Sequence, residues 1–256
     1  MMMEGLTRAL RLEFSSMRER WLSLFFYLLV PAIIVFIYYA STKNIINWGS
    51  YASLNLRLYD IFASGVFSII IMFVTIQLMV LRIVGERAPY GTLDRELIAI
   101  SRSGVYFGKL FANFFLVLLQ VIIIYLFGYV ILSAKNYGNP TSILLILLLV
   151  GVFGLILGFV ISVFSKNKEQ AIQLVPFFIL VLLLFSGILI PLEQMPSSMK
   201  LVAENMPLTL GQQSLQIISL DGAGFEDIQF NILKFLVWII VLVLIGLVKF
   251  KLERKK

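Results

Sequence analysis

Side chains able to make or break bonds are scarce in these 256 residues. Cys and His are both absent, which removes thiolate nucleophiles, disulfides and Cys-based metal sites, together with the commonest general base and transition-metal ligand. The densest group of functional side chains lies between Gly85 and Arg102 and contains Glu86, Thr92, Asp94, Arg95 and Glu96. Gly85 and Gly91-Thr92 superficially suggest a phosphate loop. The spacing is wrong, no Lys precedes Thr92, and G-x-x-x-x-G-K-[ST] occurs nowhere else. The chain is therefore expected to carry no P-loop ATPase and to bind no cofactor or metal itself. What this run offers instead is a charged protrusion. Pro89 and Gly91 break regular structure, Thr92 can cap a short helix with Asp94 and Glu96 in its first turn, and Leu93, Leu97 and Ile100 share a face. Such an element suits docking of a soluble partner; its plainer reading is a solvated turn between two helices.

The elements that hold this protrusion are apolar. Hydrophobic residues make up 60% of the chain and charged residues 14%, with a mean hydropathy of +0.98. Soluble domains average about 45–50% and 25%, and a water-soluble fold of this size could not hide so much apolar surface. Six long apolar runs stand out: Trp21–Ala40, Ile61–Leu81, Leu110–Leu132, Ile143–Phe164, Ala171–Ile190 and Leu233–Phe250. Each is close to the ~20 residues that cross a bilayer as helix. Helix is required because backbone amides in lipid need internal partners, and a β-barrel would show alternation that these runs lack. The expected fold is an all-α integral membrane protein, one domain over residues 1–256, with six transmembrane helices.

Charge sets the orientation. Of 21 Lys and Arg, 16 fall on the side that holds both termini and the loops at 82–109 and 166–168, and 5 on the other. Basic residues favour the cytoplasm, so both termini are expected inside the cell (plasma or inner) membrane. The net charge of +7 reads as this orientation signal and not as a nucleic-acid footprint. The first run is too long for the apolar part of a cleaved signal peptide and is expected to stay. Before it, Leu6, Leu10, Phe14, Met17 and Trp21 form one helical stripe among arginines, the pattern of an amphipathic helix lying along the headgroups.

On the opposite side, Pro191–Asn231 is the longest loop and too apolar for water. It is expected to fold back as short re-entrant helices starting at Pro196 and Pro207. Gly151, Gly154, Gly158 and Ser162 line one side of the fourth run, with Gly154 and Gly158 in a G-x-x-x-G spacing that signals close helix packing. Pro31 and Pro176 should kink the first and fifth runs. Between these boundaries no run contains Asp or Glu, and Gln77, Asn113, Gln120, Gln173 and Thr75 supply most of the polarity. That argues against a proton-coupled pump, which commonly needs an ionisable group in the membrane. A transporter built this way must import its driving force.

These motifs resemble the membrane subunit of ATP-binding-cassette (ABC) type-2 transporters. The resemblance runs the length of the chain: an amphipathic start, six spans, Glu86 with Gly91-Thr-Leu-Asp-Arg95, then Ser101-Arg102 and Gly108-Lys109 leading into the third span. Ser186-Gly187, Pro191, Met195-Pro196 and Pro207-Leu208-Thr209 fall where that family has its outer re-entrant segment. The family usually has a Pro shortly before the Ser-Arg pair, where this chain has Ile100. The resemblance implies that Glu86 and Gly91–Glu96, including Leu93, form a coupling helix seated in a separate ATPase subunit. It implies two copies of that ATPase, with ATP and Mg bound there, and a second permease copy, identical or closely related. Gly187, Pro191, Met195, Pro196, Pro207, Leu208 and Thr209 would close the path outside, and Phe26, Tyr27, Phe67, Phe73 and Gln77 are candidates to line it. The implied activity is export of an amphipathic or hydrophobic molecule such as a drug, antibiotic or lipid. Two readings from other classes stay open: a carrier or channel acting alone, and a membrane anchor that transports nothing.

Overall fold

Long apolar segments without internal charge have one stable solution in lipid, and the chain adopts it. A computed structural model describes residues 21–46, 56–87, 102–165 and 167–252. The amphipathic stripe before Trp21 and the expected coupling residues Gly91–Glu96 lie outside the described residues. The helices are α1 (Trp21–Thr42), α2 (Leu58–Arg87), α3 (Arg102–Tyr125), α4 (Pro140–Phe164), α5 (Lys168–Leu184), α6 (Ser197–Ala203), α7 (Pro207–Asp221) and α8 (Phe225–Leu252). A π-helical turn, Leu126–Ile131, extends α3, and a 3-10 turn, Leu192–Gln194, precedes α6. Among the described residues no strand forms; Ile46 and Arg57 make one isolated bridge.

Among the described residues, five helical stretches are long and apolar enough to cross a membrane: Leu24–Thr42, Leu58–Glu86, Gly104–Ile131, Pro140–Phe164 and Phe225–Phe250. The expected fifth span, Ala171–Ile190, is shorter than its apolar run. Helix α5 has 17 residues and stops at Leu184, which gives a length of about 25 Å. The chain leaves the helix because Gly187 takes a left-handed φ of +79° and the Ser186 hydroxyl accepts from the Ile188 N–H at 3.1 Å. Apolar side chains alone do not mark that end; the Ser-Gly pair does.

The centre of the molecule is the pair α2 and α4. Two-thirds (67%) of the apolar stretch of each is buried, against 11% for α1 and 17% for α8. Glycine makes the pairing possible. A Cβ on Gly154 would lie 2.9 Å from the Met72 carbonyl oxygen and closer still to the Thr75 hydroxyl, and one on Gly158 would lie 2.5 Å from the Ile76 carbonyl oxygen. The two backbones thus touch where the G-x-x-x-G spacing predicts a close crossing. One turn away, Gly151 faces Val117 of α3, where a Cβ would come within 2.5 Å. Around this pair α8 packs on α4, while α1 and α5 pack on α2.

Short polar links tie the periphery to this core. Asn139 caps α4 by accepting from the Thr141 N–H at 2.9 Å, with Pro140 at the first helical position. Asp60 is buried and accepts from Arg57 Nε and Nη2, each at 2.8 Å, and from the Lys135 backbone N–H at 2.9 Å. The hydrogen bond to Asp60 raises the pKa of Arg57 further above its ordinary value. Tyr106 of α3 donates to the Val243 carbonyl of α8 at 3.0 Å.

Gly154→Ala and Gly158→Ala should each destabilise the protein by about 1–3 kcal/mol, because a backbone atom must move to admit the methyl. Gly85→Ala is the matched control: a Cβ there meets nothing within 4 Å. Thermal unfolding in detergent should show a lowered Tm for the first two and an unchanged or raised Tm for the third.

Candidate functional site

The functional features sit on α2 and the helices beside it. At one end, α2 runs on past the apolar run Ile61–Leu81 through Arg82 and Glu86, and α3 begins at Arg102, before the apolar run Leu110–Leu132. The added turns place Arg82 and Glu86 four apart on one helix and Lys109 and Asn113 four apart on the other, so each pair shares a face. These faces meet. Lys109 Nζ donates to Glu86 Oε2 at 2.5 Å, Arg82 Nη1 donates to Asn113 Oδ1, and Asn113 Nδ2 donates to the Lys109 carbonyl at 2.7 Å. All four residues are at least nine-tenths buried. The expectation that α2 and α3 are free of ionisable residues therefore holds only within the narrower sequence boundaries, Ile61–Leu81 and Leu110–Leu132. The helices themselves include Asp60, Arg82, Glu86 and Lys109, because backbone hydrogen bonding continues where hydropathy ends.

Next to this cluster, α1 and α2 enclose a cleft of about 430 Å³. Its lining includes Phe26, Tyr27, Phe73 and Gln77, four of the five residues expected along a substrate path. Leu24, Val30, Pro31, Val74, Leu78 and Leu81 supply the apolar wall, and Arg82 stands at one end. Phe67, the fifth, lies elsewhere. It is fully buried between Tyr59 and Tyr129, at ring-centroid distances of 6.4 and 5.3 Å, and fills the space that the missing side chain of Gly128 leaves. The π-helical turn carries Gly128 and Tyr129 to that position.

Features at the other end of the fold gather around α7. Helices α6 and α7 start at Ser197 and Pro207, with Pro196 at the cap of the first and Pro207 at the first position of the second. Thr209, fully buried, donates its hydroxyl to the Phe185 carbonyl at the end of α5 at 2.8 Å. Leu208 is buried in the main core, while Leu192 and Met195 form a small cluster with Ala203 and Phe185. Gly187 lies against Leu192, where a Cβ would come within 3.1 Å. Pro191 precedes the 3-10 turn. Thus Gly187, Met195 and Thr209 are brought to one place, the junction of α5, α6 and α7.

Long apolar helices joined through glycine contacts, a buried ion pair at one end and an apolar cleft at the side define a multi-pass helical membrane domain. Comparison with known families sharpens this. The chain belongs to the ABC-2 type transporter family, matched over residues 6–220. It is 27% identical over 199 residues to the ABC transporter G family member 20 of Dictyostelium discoideum, an alignment that covers 77% of this chain and 27% of that protein. The chain therefore spans about a quarter of the length of that relative. The family resemblance read from the motifs holds, and the matched region is a permease-type membrane domain.

The sequence does not announce Arg82 and Asn113 as parts of a cluster, and Lys109 stands there as a basic loop residue within the Gly108-Lys109 motif. The signal was present: 82/86 and 109/113 continue the helical spacing of the apolar stripes beside them. Replacing Lys109 by Met should cost about 3–5 kcal/mol, because Glu86 loses the Lys109 ammonium in a buried place. Glu86→Gln combined with Lys109→Met should cost clearly less than the two single changes added together. Unfolding of the four proteins in detergent measures this coupling.

Proposed function

We propose that this chain is the permease subunit of an ATP-driven exporter. It crosses the cell membrane six times as a single domain with both termini in the cytoplasm, α5 making the fifth crossing together with the segment that follows it. It works as a pair with a second permease copy and with two separate ATPase subunits, which bind ATP and Mg. Gly91–Glu96, together with Glu86 at its base, forms the coupling helix on the ATPase. Gly187, Pro191, Met195, Pro196, Pro207, Leu208 and Thr209 belong to re-entrant segments that close the outer end. The cargo is an amphipathic or hydrophobic molecule such as a drug, antibiotic or lipid, and it meets the chain at Phe26, Tyr27, Phe73 and Gln77.

The observation that carries this reading is the Glu86–Lys109 pair. It ties together the two helices on either side of the coupling segment, within a buried cluster that also joins Arg82 to Asn113. A push on the loop is then delivered to α2 and α3 together instead of bending one helix against the other. ATP-driven association of the partner subunits would shift the permease between inward- and outward-open populations through this connection. The matched family, in which transport is the shared role, points the same way.

Reversing both charges, Asp94→Arg with Arg95→Glu, should weaken co-purification of the ATPase subunit by at least about tenfold, since like charges then face each other. Unchanged recovery of the complex would refute the docking role. The absence of native cysteine allows a clean test of topology. In intact cells a membrane-impermeant maleimide should label Ser198→Cys, and should label Thr92→Cys only after permeabilisation. The reverse pattern would turn the whole assignment over.

A further inference from the structure

We infer that the cleft between α1 and α2 binds a single-chain amphiphile with an anionic headgroup, its chain along the apolar wall and its head beside Arg82. This rests on the transport reading above, and names the substrate class for the same cleft. Among the described residues lining it, Arg82 is the single charged one, and it stands at the end of the lining stretch of α2. Phe73 to Arg82 spans about 13 Å along the helix, and before Arg82 the α2 side of the wall is apolar except for Gln77. The volume of about 430 Å³ lies at the small end of ligand sites, which suits one acyl chain and not two. Phe26, Val30, Phe73 and Leu81 are exposed, so the cleft opens sideways at the surface of the protomer.

Arg82 favours an acceptor-bearing head over a cationic one, and Tyr27 offers that head a hydrogen bond. Arg82 is nine-tenths buried, and a guanidinium presents five N–H donors and no acceptor. The Tyr27 hydroxyl is buried in the cleft lining with no hydrogen-bond partner. Tyr27 and Leu24 pack against the small cluster of Leu78, Ala112 and Leu116, and Leu78 lies one helical turn before Arg82 on the same face of α2. A carboxylate or phosphate at this end would accept from the Tyr27 hydroxyl and face the Arg82 charge. An ammonium head would meet a like charge and could only donate.

The test uses the full chain in phosphatidylcholine nanodiscs, without ATPase subunit or ATP, and a diazirine-bearing oleate as photoprobe. Labelled peptides should map to residues 24–31 and 73–82. Unlabelled oleate and oleyl phosphate should each compete at least about tenfold better than oleyl alcohol or oleylamine, as expected for a hydrogen bond to a charged group. The order between the two anions tells carboxylate from phosphate. Arg82→Gln should erase the preference for anions. Because Arg82 also holds Asn113, Val30→Trp provides a second variant, filling the cleft and lowering labelling while Arg82 stays in place. Labelling elsewhere, or equal competition by all four heads in the native protein, overturns the inference. Anion-selective labelling without ATP-driven export by the assembled complex would leave this site standing and remove the transport reading alone.

Discussion

The contact of α2 with α4 through Gly154 and Gly158 is the constraint on which the rest of the fold depends. In water such a contact would be one of many buried surfaces. In hydrocarbon there is little hydrophobic drive to pair two apolar helices, so association relies on close packing and on polar links. Glycine supplies the first by bringing the Met72 and Ile76 carbonyls of α2 against the backbone of α4. Thr75, at the same crossing, turns its hydroxyl back to the Ile71 carbonyl at 2.8 Å, which satisfies that hydroxyl. With α2 and α4 locked, α3, α7 and α8 have a fixed surface to pack on, and α2 becomes the helix on which both the ion cluster and the cleft are built.

The second theme is the placement of charge at helix ends. A buried ion pair is a poor source of stability, because desolvation offsets most of its attraction. Its value in this protein is geometric. Glu86–Lys109 and Arg82–Asn113 join α2 to α3 at one end, and Asp60 joins α2 to the segment after α3 at the other, through the Lys135 N–H. Helix α2 is thereby fixed at both ends and in its middle. Helix α1 is not: its described polar link to α2 is the Tyr38 hydroxyl on the Leu58 carbonyl at 3.2 Å, and the cleft separates the two below that point.

Much of this was legible from the residues. Apolar run length located the long helices, the glycine spacing located the central crossing, and Pro196 and Pro207 marked the starts of α6 and α7. The misses share a cause. Hydropathy ends where the apolar side chains end, whereas backbone hydrogen bonding goes on, so a boundary at Leu81 excludes the buried Arg82 and Glu86 that belong to α2. The fifth run shows the converse, since Ile188–Ile190 are apolar yet lie beyond a Ser-Gly break. Phe67 could not be separated from Phe26 and Phe73 by residue type. Its burial depends on Gly128, sixty-one positions away, and on a π-helical turn with no clear sequence mark.

The sideways opening of the α1–α2 cleft has a consequence for how occupancy is set. Water does not compete for a groove that faces hydrocarbon; membrane lipids do, and their tails are as apolar as the leucines of the wall. Where bulk acyl chains fill such a groove, a guest gains nothing from its own tail that they do not already provide. Selectivity is left to whatever sits at the polar end. The mole fraction of competing lipid, and not aqueous concentration, is then the variable that governs filling.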